Sequence, residues 1–335
     1  MEDPGTVIVV SHDRHFLNTV CTHIVDIDYN KIRMYVGNYE FWYDSSQLIQ
    51  RMVKQQNKKA EEKIRELEEF IRRFSANKSK SRQATSRRKL LDKMTIEELP
   101  ASSRRYPFVG FEMDREPGKE LLAVEDLSCR ADGEVLFQNV SFRLGRGDKI
   151  AILAENELAA TALLQVLMGE RDAASGSFKW GISTSQSYFP KDNGAFFDDC
   201  PLSIIDWMRQ YSKDQTETYL RGFLGRMLFS GEEVFKPVQV LSGGERVRCM
   251  LSRMMMFGAN ILVLDQPTNH LDLESITAVN QGLCDFKGNV IFTSHDHEFI
   301  NTIANRIIEL RDDGVIDRSC TYDEYIEWKK ENNIL

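Results

Sequence analysis

The sequence predicts an α/β fold, a mixed sheet with parallel buried strands and a helical subdomain, preceded by a long α-helical hairpin. Three observations carry this. Residues 261–264 (ILVL) and 290–293 (VIFT) are short apolar runs, each ended by a polar turn, as fully buried parallel strands are. Residues 45–74 space Leu48, Met52, Ile64, Leu67, Phe70 and Ile71 at helical intervals among many charges. Residues 5–24 (GTVIVVSHDRHFLNTVCTHI) return as 288–307 (GNVIFTSHDHEFINTIANRI), with Ser11 meeting Ser294 and Tyr39 meeting Tyr322 at the same offset.

In chain order, residues 1–44 hold the first copy of the repeat and predict the closing fragment of a first domain. An equal repeat unit implies roughly 240 residues of that domain outside this chain. Residues 45–107 predict a helical hairpin linker, with Pro100 and Pro107 leading into a second domain over 118–335. There β-type segments come first, a short helix follows from about residue 161, and about 195–257 reads as helical. Such a sheet takes ligands at the carboxyl ends of its strands.

Composition bounds the function. The net charge of −8 argues against a nucleic-acid coat over the whole surface, yet residues 72–89 carry Arg72, Arg73, Lys78, Lys80, Arg82, Arg87, Arg88 and Lys89 with no acid. Such a run is a solvated face or a phosphate-binding one. Eight cations inside an acidic chain favour RNA contact with strong salt dependence. Six scattered cysteines with no C-x-x-C pair predict reduced thiols in a cytoplasmic protein. No apolar run approaches the ~18 residues of a membrane span, so no membrane partner is expected. The histidines of the duplicated Ser-His-Asp need no metal to explain them, and Met254, Met255 and Met256 read as core packing.

The sharpest motifs are LSGGE at 241–245, an apolar strand ending at Asp265, PTNHLD at 267–272 and SHD at 294–296. In this order and spacing they resemble the ATP-binding cassette ATPases. The duplicated cassette, the charged linker and the stretch LFSGEEVFKPVQVLSGGE narrow the resemblance to the ABC-F proteins, tandem ATPases that act on ribosomes. The resemblance implies ATP and Mg²⁺ as ligands and a ribosomal partner, rRNA or tRNA, for the linker. It implies that Ser242, Gly243, Gly244 and Glu245 cap a nucleotide held by another, complete cassette. A helix N-terminus with exposed N–H groups suits that task. It implies that Asp265 and Thr161 serve magnesium, that His295 and His12 sense the γ-phosphate, and that Asn269 and Asp272 belong to the loop facing the opposite cassette.

Two departures from the family pattern bear on turnover. Position 266, normally a glutamate that polarises water, is Gln266, which cannot take a proton, so hydrolysis should slow by about 10²- to 10⁴-fold. The phosphate loop, a glycine-rich turn with a lysine for the β and γ oxygens, reads AENELAAT at 154–161. Ala154, Glu157, Ala159 and Ala160 replace its glycines and lysine; Glu155, Asn156 and Thr161 remain to meet the ligand. Weak or absent ATP binding at this loop follows. The adenine-stacking aromatic falls at Ala131, with Phe137 as a substitute, and the glutamine of the next loop aligns with Lys191, or with Gln186 if the register shifts. The expected function is an impaired ABC-F ATPase in translation. The alternatives are a non-catalytic RNA- or ribosome-binding module that only caps a partner site, and a transporter ATPase subunit.

Overall fold

Local capping and cross-strand pairing build two units, Met1–Arg104 and Arg105–Leu335. The computed structural model describes residues 5–28, 31–74, 104–131, 133–311 and 314–334.

In the first unit, Asp13 caps helix α1 (Arg14–Val20) by accepting from Phe16 N. Strands β1 (His23–Asp28) and β2 (Lys31–Val36) then pair antiparallel, Val25 opposite Met34 and Ile27 opposite Ile32. Helix α2 (Tyr39–Phe74) runs 36 residues, or about 54 Å at 1.5 Å per residue. It begins six residues before the expected 45, because the Asn38 side chain accepts from Phe41 N at 3.1 Å and opens the helix there. The expected boundary at 44/45 therefore falls inside one continuous helix. Trp42 on α2 donates to Asp26, and Arg104 binds the same carboxylate at 2.6 Å while lying over the Trp42 ring. Arg72 is exposed on α2, and Arg73 lies on its last turn. The returning arm of the hairpin, and Lys78, Lys80, Arg82, Arg87, Arg88 and Lys89 at its tip, lie outside the described residues.

The second unit starts earlier than residue 118. Phe108 N bonds Arg226 O and Asp114 N bonds Gly258 O, both at 2.9 Å, and Phe111 is buried in the core, so the expected linker end packs as part of this unit. Strands β3 (Leu122–Ala131), β4 (Glu134–Leu144) and β6 (Ser175–Trp180) make an antiparallel sheet in the order β4-β3-β6. The main sheet takes β5 (Lys149–Ala154), β7 (Gln186–Phe189), β8 (Ile261–Asp265), β9 (Asn289–Thr293), β10 (Arg306–Arg311) and β11 (Gly314–Arg318) in the order β11-β10-β5-β9-β8-β7. All its pairs are parallel except β10–β11. Every residue of β8 and β9 is buried, as their unbroken apolar runs require.

Helix α3 (Glu157–Leu167) follows β5 and buries seven of its eleven residues between the two sheets. Between β7 and β8 the chain is helical, as expected for about 195–257: α4 (Gly194–Phe197), α5 (Ile204–Arg209), α6 (Glu217–Arg226), two 3-10 turns and α7 (Gly243–Phe257). Three helices complete the unit: α8 (Leu273–Asp285) after β8, α9 (His297–Ile303) after β9 and α10 (Tyr322–Glu331) after β11.

Candidate nucleotide site

The carboxyl ends of β5, β8 and β9 open into one cavity of about 260 Å³. Glu155 and Glu157 line it from the turn after β5, Asp265 and Gln266 from the end of β8, and His295 from the turn after β9. Lys191, past the end of β7, reaches the same place through Glu157. Gln186 stands at the opposite, amino end of β7 with its amide on Thr184, so Lys191 is the residue the fold brings to the site.

The turn from β5 to α3 is made without glycine. Asn156 caps α3 by accepting from Leu158 N at 2.9 Å, and no residue from 151 to 161 has a positive φ. Phosphate-wrapping nests need alternating right- and left-handed residues, so this turn forms none. Beside this turn stands the Glu157 carboxylate, on the first residue of α3. Its Oε2 accepts from Lys191 Nζ at 2.6 Å and its Oε1 contacts His295 Nε2 at 2.6 Å. The lysine hydrogen bond, with His295 and Gln266 adding to it, holds this carboxyl below its ordinary range. His295 Nε2 also lies 2.9 Å from Gln266 Nε2. One ring nitrogen cannot serve both contacts at once. The shorter contact, to a charged acceptor, is the stronger, so Nε2–H goes to Glu157.

Gln266 is buried and strained, with φ +50°, and its backbone N–H is held by Thr293 while its Oε1 accepts from Asn269. Beside it Asp265 accepts from Thr293 Oγ1 at 2.6 Å through Oδ1, and its Oδ2 is buried without a hydrogen-bond partner. Burial raises the Asp265 pKa although the Thr293 and Thr161 hydroxyls favour its charged form. A buried orphan carboxylate oxygen next to a threonine hydroxyl fits a hydrated magnesium ion, so Asp265 and Thr161 are suited to hold one, and its charge would offset the cost of that burial. The phosphate half of the site does not fit: the turn makes no nest, and Lys191 is paired with Glu157. Neither expected adenine-stacking position offers an exposed ring. Ala131 ends β3 opposite Glu134, and the Phe137 ring, the expected substitute, is buried in the core between the sheets, where its apolar surface is better satisfied than on a ligand.

The second group of motif residues lies at the head of α7. Ser242 caps it in a reciprocal box: Ser242 Oγ accepts from Glu245 N while the Glu245 carboxylate accepts from Ser242 N at 2.7 Å. Burial pushes the Glu245 carboxyl up, but its bonds from Ser242 and Lys236 outweigh this and it sits below its ordinary value. Ser242 and Gly243 are exposed. A side chain at Gly243 would meet the His270 ring at 3.1 Å, and one at Gly244 the His270 carbonyl at 3.1 Å, so a larger residue at either position would have to displace His270 by a few tenths of an ångström. Asp272 caps α8 by accepting from Ser275 N. Thus Asn269 joins the first cavity through Gln266, Asp272 is spent on its helix, and His12 stands in the first unit.

In the sequence, Glu157 reads only as a negative charge in the phosphate loop. Its role as shared acceptor depends on partners 34 and 138 residues away, and a carboxylate in a phosphate loop was the one available hint.

Two family models, both described as ABC transporter, match this chain, an extension model over residues 25–110 and the transporter model itself over 137–269. ABC cassettes of this kind bind ATP with magnesium. The uncharacterized ABC transporter ATP-binding protein YkpA of Bacillus subtilis (strain 168) is 61% identical over 324 residues, 96% of this chain and 60% of its own length. The probable ATP-binding protein YbiT of Escherichia coli O157:H7 is 42% identical over 98% of this chain and 62% of its own. ABC transporter F family member 2 of Arabidopsis thaliana is 31% identical over 96% and 48%. The chain thus spans about three fifths, or less, of the length of these curated relatives. Among the described residues no helix is long and apolar enough to cross a membrane. An ABC transporter extension model followed by the ABC transporter model, together with 31% identity to an F-family member over 96% of this chain, places this chain among the ATP-binding proteins of the ABC-F family.

Proposed function

We propose that this chain acts on ribosomes in translation, in the cytoplasm, with its α7 head closing over a triphosphate held by an opposite cassette and its basic linker meeting rRNA or tRNA. One observation carries the first part: Ser242 and Gly243 are exposed at the head of a capped fifteen-residue helix, where small residues pack closely on His270. The eight cations of residues 72–89 support the second. Turnover by the second cassette is weak or nil, because Gln266 cannot accept a proton and Glu157 takes up the Lys191 and His295 side chains.

The second reading, a capping and RNA-binding module without catalysis, is favoured by the Glu157 contacts themselves. Co-sedimentation with ribosomes over a salt series, together with Mg·ATP titration of the purified chain, separates the readings. Ribosome binding that weakens steeply with salt, accompanied by slow phosphate release, supports the ATPase. The same binding without any ATP uptake supports the module. Recovery with lipid vesicles and not with ribosomes overturns both and points to a transporter subunit.

A further inference from the structure

Three groups from three different loops converge on a single carboxylate. Lys191 follows β7, Gln266 follows β8 and His295 follows β9, and Glu157, the first residue of α3, accepts from Lys191 at 2.6 Å and meets His295 at 2.6 Å with Gln266 alongside. An ammonium, an imidazole and an amide pointed at one spot above a helix N-terminus form an oxyanion site by chemistry alone. The backbone does not compete for the role, since Asn156 already takes Leu158 N and the turn makes no nest.

Each contact is modest. The lysine and glutamate side chains are 37% and 48% exposed, and such pairs contribute about 0–1 kcal/mol. What favours the carboxylate is its tether. A group held on the same chain competes at an effective concentration of about millimolar or more, which free phosphate must exceed. The other carboxylate nearby, Asp265, is turned to Thr293, and the Glu157 charge disfavours its ionised form.

We propose that Glu157 is a tethered anion occupying a latent phosphate-class site formed by Lys191, Gln266 and His295, so that these groups keep a ligand-bound arrangement in the absence of any nucleotide. This goes beyond weak ATP binding: it assigns an occupant and a ligand class, and it holds whether or not the chain acts on ribosomes. The 121–335 cassette is then permanently set in one local state, while nucleotide-driven change is left to its partner.

The test uses the full-length chain, labelled so that the His295 ring and Gln266 side-chain amide resonances are followed during titration with inorganic phosphate. In the wild type, phosphate below about 1 mM should leave both in place, the tethered carboxylate being the stronger competitor. In Glu157→Ala both should move in the free protein and then shift saturably with phosphate, at least about tenfold more tightly than in the wild type, an effect of about 1.4 kcal/mol. Adding Lys191→Met to Glu157→Ala should abolish that response, and the isosteric Glu157→Gln should keep the fold while losing the hold on Lys191. Equal phosphate responses in wild type and Glu157→Ala overturn the proposal, as does a Glu157→Ala protein with unmoved resonances or without saturable phosphate binding.

Discussion

Residues 11–42 and 294–325 are the same motif folded twice, and they differ in what covers them. The local bonds agree pair by pair. Asp13 N and Asp296 N each bond the preceding serine hydroxyl at 3.1 Å, and Asp13 and Asp296 each cap a helix at 3.0 Å. Asn18 accepts from Glu40 N at 2.9 Å as Asn301 does from Asp323 N at 3.0 Å. Trp42 donates to Asp26 as Tyr325 donates to Glu309. Yet in the second copy β10 pairs with β5, and Ile308 is fully buried, whereas its counterpart Val25 on β1 is 53% exposed and Ile27 is 70% exposed. Short-range sequence therefore dictates the motif's shape, and strand partners dictate how much of its stability is tertiary.

The largest contrast should come from an aspartate at the two equivalent strand positions. Ile308→Asp puts an unpaired charge into the sheet core and should cost more than about 4 kcal/mol, enough to unfold the second unit. Val25→Asp should change stability by about 0.5 kcal/mol or less. Hydrogen-exchange mass spectrometry, read separately on peptides of each unit, distinguishes them; equal losses would break the comparison.

Next come the paired anchors. Tyr325→Phe removes a donor at 2.9 Å from the buried Glu309, which keeps Lys329 at 2.8 Å, and should cost about 1–3 kcal/mol. Trp42→Phe loses a longer bond of 3.3 Å, and Arg104 still holds Asp26, so its hydrogen-bond loss should stay near or below about 1 kcal/mol. Denaturant titration followed by exchange in each unit measures both.

The caps should instead be equal. Asp13→Ala and Asp296→Ala each remove one Asp-to-backbone bond of 3.0 Å and should each cost about 1 kcal/mol; a large difference would mean that the cap depends on the surrounding sheet.

The smallest effect concerns the α7 box. The folded pKa of Glu245 lies below its ordinary 4.5, so its stabilisation is fully present above 4.5 and is lost as pH falls through the folded value. Glu245→Gln should flatten that acid limb, by tenths of a kcal/mol to about 1 kcal/mol, in a pH series of melting midpoints. Asp265 carries the opposite sign. Its raised folded pKa makes the fold lose stability as pH climbs from 3.8 through that value, and magnesium should counter the loss.

Much of this was legible in the sequence because the carriers are local or periodic. The unbroken apolar runs of β8 and β9, the repeat, and the glycines at the head of α7 each show their reason within a few residues. The start of α2 was missed because Asn38, a cap, precedes the first helical apolar spacing. Phe137 was misjudged because burial between two sheets leaves no trace in a single strand's pattern. The Glu157 contacts were out of reach for the same reason: three loops meet there only once the sheet order β5-β9-β8-β7 is known.

As proposed above, the second cassette caps triphosphate and does not hold it. The most direct measurement is Mg·ATP titration of the full chain with backbone resonances of residues 154–161 and 242–244 followed, alone and then with an ATP-loaded cassette whose phosphate loop has its glycines and lysine. No saturable change is expected at 154–161 in either case, and a change at 242–244 only when the loaded cassette is added. Saturable ATP binding at 154–161 by the chain alone would contradict it.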